Sequence, residues 1–138
     1  MEINIKIVKQ IDTSIVYQSL SHQESGGVCV FIGSVRNLTN KQIVNKLFFE
    51  AYESMAVLEM EKIVKVAFEK WDLQKVIMHH AVGEKKIGEP VVLVGASSAH
   101  RESCFQACRF LIDTLKENVP IWKKEFFENN EVWVTPHP

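Results

Sequence analysis

Two long stretches of helical period, each set between runs of strand-like residues, constrain this chain more than any other feature. Over about 53–71, Val57, Met60, Val64, Ala67 and Trp71 recur at helical spacing among Glu59, Glu61, Lys62, Lys65 and Glu69. Over about 99–118, Phe105, Cys108, Ile112 and Leu115 form a second apolar stripe, with Ser97 or Ser98 as its cap and Pro120 as its stop. Ile3, Ile5 and Ile7 alternate with polar residues, as in an opening strand, and Asp12 can cap a short helix over 13–20. Gly26-Gly27 turns into Val28-Cys29-Val30-Phe31-Ile32, whose unbroken apolar character predicts a strand buried on both faces. Residues 36–41 read as a polar loop, 43–52 and 74–82 as strands, 83–88 as a turn region and 91–96 as another buried strand. Residues 121–127 and 131–135 form a hairpin around Glu128-Asn129-Asn130. The order β-α-β-β-α-β-β-α-β-β predicts one α+β domain over 1–138, with three helices and a mixed or antiparallel sheet.

Composition narrows the function classes. The 138 residues carry a formal net charge of -1, so no global field draws the chain to nucleic acid or to anionic lipid. An anion site must come from a local cluster of cations. No apolar run approaches a membrane span, and the first residues lack the pattern of a signal peptide. Cys29, Cys104 and Cys108 cannot all pair within one chain, so reduced thiols in the cytoplasm are the simplest reading.

His100 and Arg101 fall at the start of the second long helix, where free backbone N–H groups and the helix dipole favour an anion. The bland reading is a pair of exposed first-turn residues. Lys116 lies in the last turn, where any lysine is favoured as a cap. Lys123 and Lys124 adjoin in a strand, so one should face inward, while the bland reading makes both guards of an edge strand. His100 and Lys116 are sixteen positions apart, roughly 24 Å along one helix. One small molecule cannot easily reach both within one chain, so a site using both is shared between two subunits. His100, Cys104 and Cys108 are spaced too far along the axis to hold one ion together, and neighbouring strand residues His79 and His80 point to opposite faces. No metal or cofactor site is expected.

These residues fall in an order that resembles the large, catalytic subunit of molybdopterin synthase. The match runs from Gly26-Gly27-Val28 and Phe31-Ile32-Gly33-Ser34-Val35-Arg36-Asn37, through Glu50-Ala51-Tyr52 and Ile87-Gly88-Glu89, to Ser98-Ala99-His100-Arg101. It continues through Phe105, Ala107, Asp113, Lys116, Pro120-Ile121-Trp122-Lys123-Lys124-Glu125 and Trp133-Val134. The resemblance implies an α+β fold with a hammerhead-like subdomain and a large subunit that dimerises. It implies a second partner, a small ubiquitin-like sulfur carrier ending in a Gly-Gly thiocarboxylate, in a heterotetramer. It implies sulfur transfer to cyclic pyranopterin monophosphate without a metal. Carried over, Lys116 and Lys123 are catalytic at the carrier's tail, and Arg36 with a second subunit's His100 and Arg101 grips the pterin phosphate. Phe31, Ile112 and Lys124 line the pocket, and Glu125 orients a lysine. The match departs at His80, where the family pattern has Arg, in the 37–41 loop, which lacks a glycine, and in a shorter tail ending at Pro138.

The competing reading is a non-enzymatic α+β domain that holds a partner on its edge strand. It accounts for the strands and lysines but not for Arg36, His100 and Lys116 occurring together. Pterin sulfuration with a thiocarboxylated carrier separates the two readings.

Overall fold

The computed structural model of this chain describes residues 2–134. The element order is β1 (Glu2–Val8), a 3-10 turn (Thr13–Ile15) running into α1 (Val16–Leu20), β2 (Gly27–Ser34), β3 (Leu38–Thr39), β4 (Gln42–Ala51), α2 (Glu53–Lys70), β5 (Leu73–Ala81), β6 (Gly83–Lys86), β7 (Pro90–Ser98), α3 (Arg101–Asn118), β8 (Ile121–Phe127) and β9 (Glu131–Val134). The expected α+β architecture and its three helices are present. Thr135 of the expected last strand, and the tail to Pro138, lie outside the described residues.

One sheet has the order β1-β5-β7-β2, with β1 parallel to β5 and the other pairs antiparallel. Strand alternation sorts its residues between two cores. Val76 and Met78 of β5, with Val92, Val94 and Ala96 of β7, join the larger core that includes buried residues of α2 and α3. Ile77 and Leu93 point the other way and pack with Leu20 of α1. Space on this side is tight, because a Cβ on Gly95 would lie 2.7 Å from Leu20 Cδ1. Both faces of β7 are therefore covered, which is why 91–96 reads as an unbroken apolar run.

The second sheet has the order β3-β4-β8-β9, and β6 also pairs with β4. Here the structure corrects the expectations. The 83–88 turn region contains β6, whose Gly83 to Lys86 pair with Phe49 to Lys46 of β4. The 36–41 loop contains β3, which makes a hairpin with β4 around Asn40 (φ 49°) and Lys41 (φ 67°). Two positive-φ residues suit the twist of a two-residue hairpin, and Lys41 occupies a conformation that glycine adopts at lower cost.

The 28–32 run is not buried on both faces. β2 is the edge strand of its sheet, and Phe31 and Ile32 remain 39% and 40% exposed. Its second half runs out from beneath the helices to line a cavity. Phe105, expected in the α3 stripe, is exposed, and Cys104, Ala107, Cys108, Leu111, Ile112 and Leu115 are the buried positions. The serines expected to cap α3 serve the sheet instead. Ser97 Oγ accepts from Lys75 N (3.2 Å), and Ser98 Oγ donates to the Asp72 carbonyl (2.9 Å). Asp12 caps as expected, accepting from Ser14 N at 3.0 Å.

Candidate functional site

A cavity of about 490 Å³ opens where the end of β2, the centres of β4 and β8 and the last turn of α3 meet. Phe31, Arg36, Lys116, Lys123 and Glu125 all line it, together with His80. Arg36 follows a register shift at Gly33/Ser34 that ends the pairing of β2. The residue before it is pinned, because Val35 N donates to the Glu89 carbonyl (3.0 Å) and Gly88 N donates to the Val35 carbonyl (2.7 Å). Glu89 itself accepts from Lys86 N (3.0 Å) and lies 3.4 Å from Lys85 Nζ. That backbone bond, more than the nearby lysine charges, holds its carboxyl below the usual range.

Lys116 reaches the cavity because α3 stops there. Val119 N closes the helix on the Leu115 carbonyl (3.1 Å), and Pro120 turns the chain into β8. Strand alternation in β8 then decides between the two lysines. Ile121, Lys123 and Glu125 line the cavity, whereas Lys124 does not. Lys124 pairs with Glu131 at 2.6 Å and lies over the Phe126 and Trp133 rings. Ile112 also fails to reach the cavity, since it is buried in the core one turn before Lys116.

Glu125 is 5% exposed and accepts a 2.7 Å hydrogen bond from Thr39 Oγ1. Among the described residues, no lysine lies within ion-pair distance of it. The expected lysine-orienting carboxylate is thus tied to the β3–β4 hairpin. His80 sits edge-on to Phe49, with ring centroids 5.1 Å apart, and Nδ1 lies 2.7 Å from the Ala81 carbonyl. A bond to a carbonyl requires Nδ1–H as donor, leaving Nε2 as the acceptor of a neutral ring. Burial pushes His80 down to about 4, and the positive charges of Lys116 and Lys85 act in the same direction. The cavity therefore sets three cations, Arg36, Lys116 and Lys123, against one carboxylate and a neutral imidazole. In a chain of net charge -1, this is a local anion-attracting site.

His100 and Arg101 lie at the other end of α3. With Gly26, Ala99 and Glu102 they line a separate, open depression. His100 is the N-cap residue but makes no capping side-chain bond. Gly26 allows β2 to begin hard against this turn, since a Cβ there would lie 2.2 Å from the Ala99 carbonyl oxygen. Within one chain the two cationic groups do not meet.

Residues 7–118 match the family model described as MoaE protein. The chain belongs to this family. It is 40% identical to the molybdopterin synthase catalytic subunit of Haemophilus influenzae, over 96% of this chain and 90% of that protein. It is 36% identical to the catalytic subunit of Pyrococcus abyssi, over 83% of this chain and 78% of that one. The crystal structure of molybdopterin synthase from Staphylococcus aureus superposes with a TM-score of 0.88 at 33% identity, covering 96% of this chain and 95% of that chain. MoaE membership thus rests on sequence and fold together.

Other titratable groups serve packing in this MoaE-family chain. Cys108 is pushed up to about 12, first by burial and then by the neighbouring Cys29 thiol. Cys104 Sγ donates to the Gly27 carbonyl at 3.2 Å. Among the described residues, no group of three or more His, Cys, Asp or Glu side chains is placed to hold a metal ion. Among the described residues, no helix is long and apolar enough to cross a membrane. Reading the sequence alone missed Thr39 and Phe49, because neither belongs to a charged cluster, and both acquire a role only through β4 and β8 pairing.

Proposed function

We infer that this chain is the sulfurtransferase subunit of a cytoplasmic molybdopterin synthase. It moves sulfur from the C-terminal thiocarboxylate of a small Gly-Gly carrier to cyclic pyranopterin monophosphate, building the dithiolene of molybdopterin. The observation that carries this reading is the convergence of Lys116, Lys123 and Arg36 on one cavity from α3, β8 and the end of β2. A slender carrier tail fits a cleft of this kind, and its terminal negative charge is complemented by the two lysines.

The thiocarboxylate sulfur is a competent nucleophile, so the protein has chiefly to position it and to manage charge and protons. Lys116 is the principal catalytic group, and Lys123 supports it. Once the sulfur is bonded to the pterin, water attacks the acyl carbon and the sulfur–acyl bond breaks. The sulfur stays on the pterin and the carrier leaves as a carboxylate. Both lysines stabilise the negative charge that develops in this step. Arg36 provides one side of the phosphate grip, and His100 and Arg101 of a second copy provide the other, in a homodimer within a heterotetramer. The separation of the two cationic groups along α3 supports this shared arrangement. Lys124 and Ile112 have no direct part in it. The test is Lys116→Ala with thiocarboxylated carrier and pterin substrate. Loss of product with carrier binding intact is expected, and normal sulfur transfer would overturn the assignment.

A further inference from the structure

Arg36 is held between two fixed points, and the second rests on a side-chain bond as well as on backbone. On its N-terminal side, Val35 is pinned by the hydrogen bonds to Glu89 and Gly88. On its C-terminal side the chain enters a hairpin with a two-residue strand, two positive-φ turn residues and a closing bond from Val44 N to the Asn37 carbonyl (2.9 Å). β3 pairs with β4 over only two residues, so its own ladder holds it weakly. What ties it across the cavity is the 2.7 Å bond from Thr39 Oγ1 to the buried carboxylate of Glu125. Glu125 sits in β8, paired with Leu47 of β4, two residues from Lys123.

We propose that Thr39 and Glu125 form a latch that positions Arg36, coupling the hairpin that follows Arg36 to the strand that carries Lys123. Glu125 is then a positioning residue acting through Thr39, rather than a partner of either cavity lysine. A carboxylate acceptor makes this bond stronger than a neutral one, and its buried placement makes losing the hydroxyl costly. The kinetic consequence rests on the sulfurtransferase reading, whereas the structural one does not.

The experiment compares the full chain with Thr39→Val, Thr39→Ser and Glu125→Gln. The first readout is amide hydrogen exchange over 37–43. Thr39→Val, which keeps the side-chain shape, should raise exchange there by about tenfold. Thr39→Ser should restore protection, and Glu125→Gln, which keeps an acceptor but loses its charge, should fall between. The second readout is turnover with thiocarboxylated carrier and pterin substrate, where Thr39→Val should raise KM more than it lowers kcat and Thr39→Ser should reverse the change. Unchanged exchange in Thr39→Val, or failure of Thr39→Ser to restore it, would overturn the latch. If the unaltered chain makes no product, the sulfurtransferase reading fails while the exchange result still decides the latch.

Discussion

The two ends of α3 carry similar charge and very different surroundings. At its start, His100 and Arg101 stand on an open depression with Gly26, Ala99 and Glu102. At its end, Lys116 faces a walled cavity shared with Lys123, Arg36 and the buried groups His80 and Glu125. An open cationic turn can hold the phosphate of something seated elsewhere, whereas a walled cavity can orient a reacting group. On the function proposed above, the difference corresponds to a division of labour that one chain does not complete across the length of its own helix.

The largest expected effect lies at the walled end. Lys116→Ala should lower the sulfur-transfer rate by about 10²- to 10³-fold, the loss expected when one preorganised charge-stabilising donor is removed. Single-turnover assays with thiocarboxylated carrier measure it, and a loss under about tenfold would erase the contrast between the two ends.

The same end should dominate the acid sensitivity of folding. Burial lowers His80 from 6.5 to about 4, so between those values the unfolded chain binds a proton that the folded chain refuses. Stability contributed by the neutral ring is complete above about pH 6.5 and is lost as pH falls toward 4, by up to about 3 kcal/mol. His79 is shifted in the same direction, by burial and then by Lys6. Chemical denaturation at several pH values should show a shallower slope in His80→Gln than in the unaltered chain. An unchanged slope would remove His80 as its source.

Smaller effects sharpen the boundaries of the walled region. Lys41→Gly should stabilise the chain by about 1 kcal/mol, because residue 41 is held in the left-handed region by the hairpin. Thermal unfolding measures this, and a destabilised variant would mean that the Lys41 side chain contributes more than its strained backbone costs. Lys124→Ala should cost less than about 1 kcal/mol, in keeping with a partly exposed ion pair, and should leave turnover near normal. A large loss of turnover would put Lys124 back in the site.

Most of the frame of this arrangement can be read from residues. The periods of 53–71 and 99–118 mark α2 and α3, and the apolar run at 91–96 marks the strand buried between α1 and the long helices. Helix rise alone separates His100 from Lys116. What escapes a linear reading depends on pairing across the chain. β6 and β3 are too short and polar to announce themselves, and each exists because β4 offers it an edge. Period-two alternation places Lys123 and Lys124 on opposite faces but leaves open which of them faces the cavity. Register with β4 and β9, and the Glu131 partner, decide it. Phe31 and Ile32 look like core because they are apolar, and only the edge position of β2 leaves them exposed. The Thr39–Glu125 bond joins residues 86 positions apart and has no local signature at all.

Subunit mixing tests the central claim, a site completed by a second copy. Lys116→Ala and Arg101→Ala chains would be unfolded together and refolded at equal ratio, and sulfur transfer measured with thiocarboxylated carrier. Random pairing makes half of the dimers mixed, each with one intact site, so activity should recover to about a quarter of the unaltered level. If dimers form and exchange but the mixture stays as inactive as its two components, both residues act within one chain and the shared site is wrong.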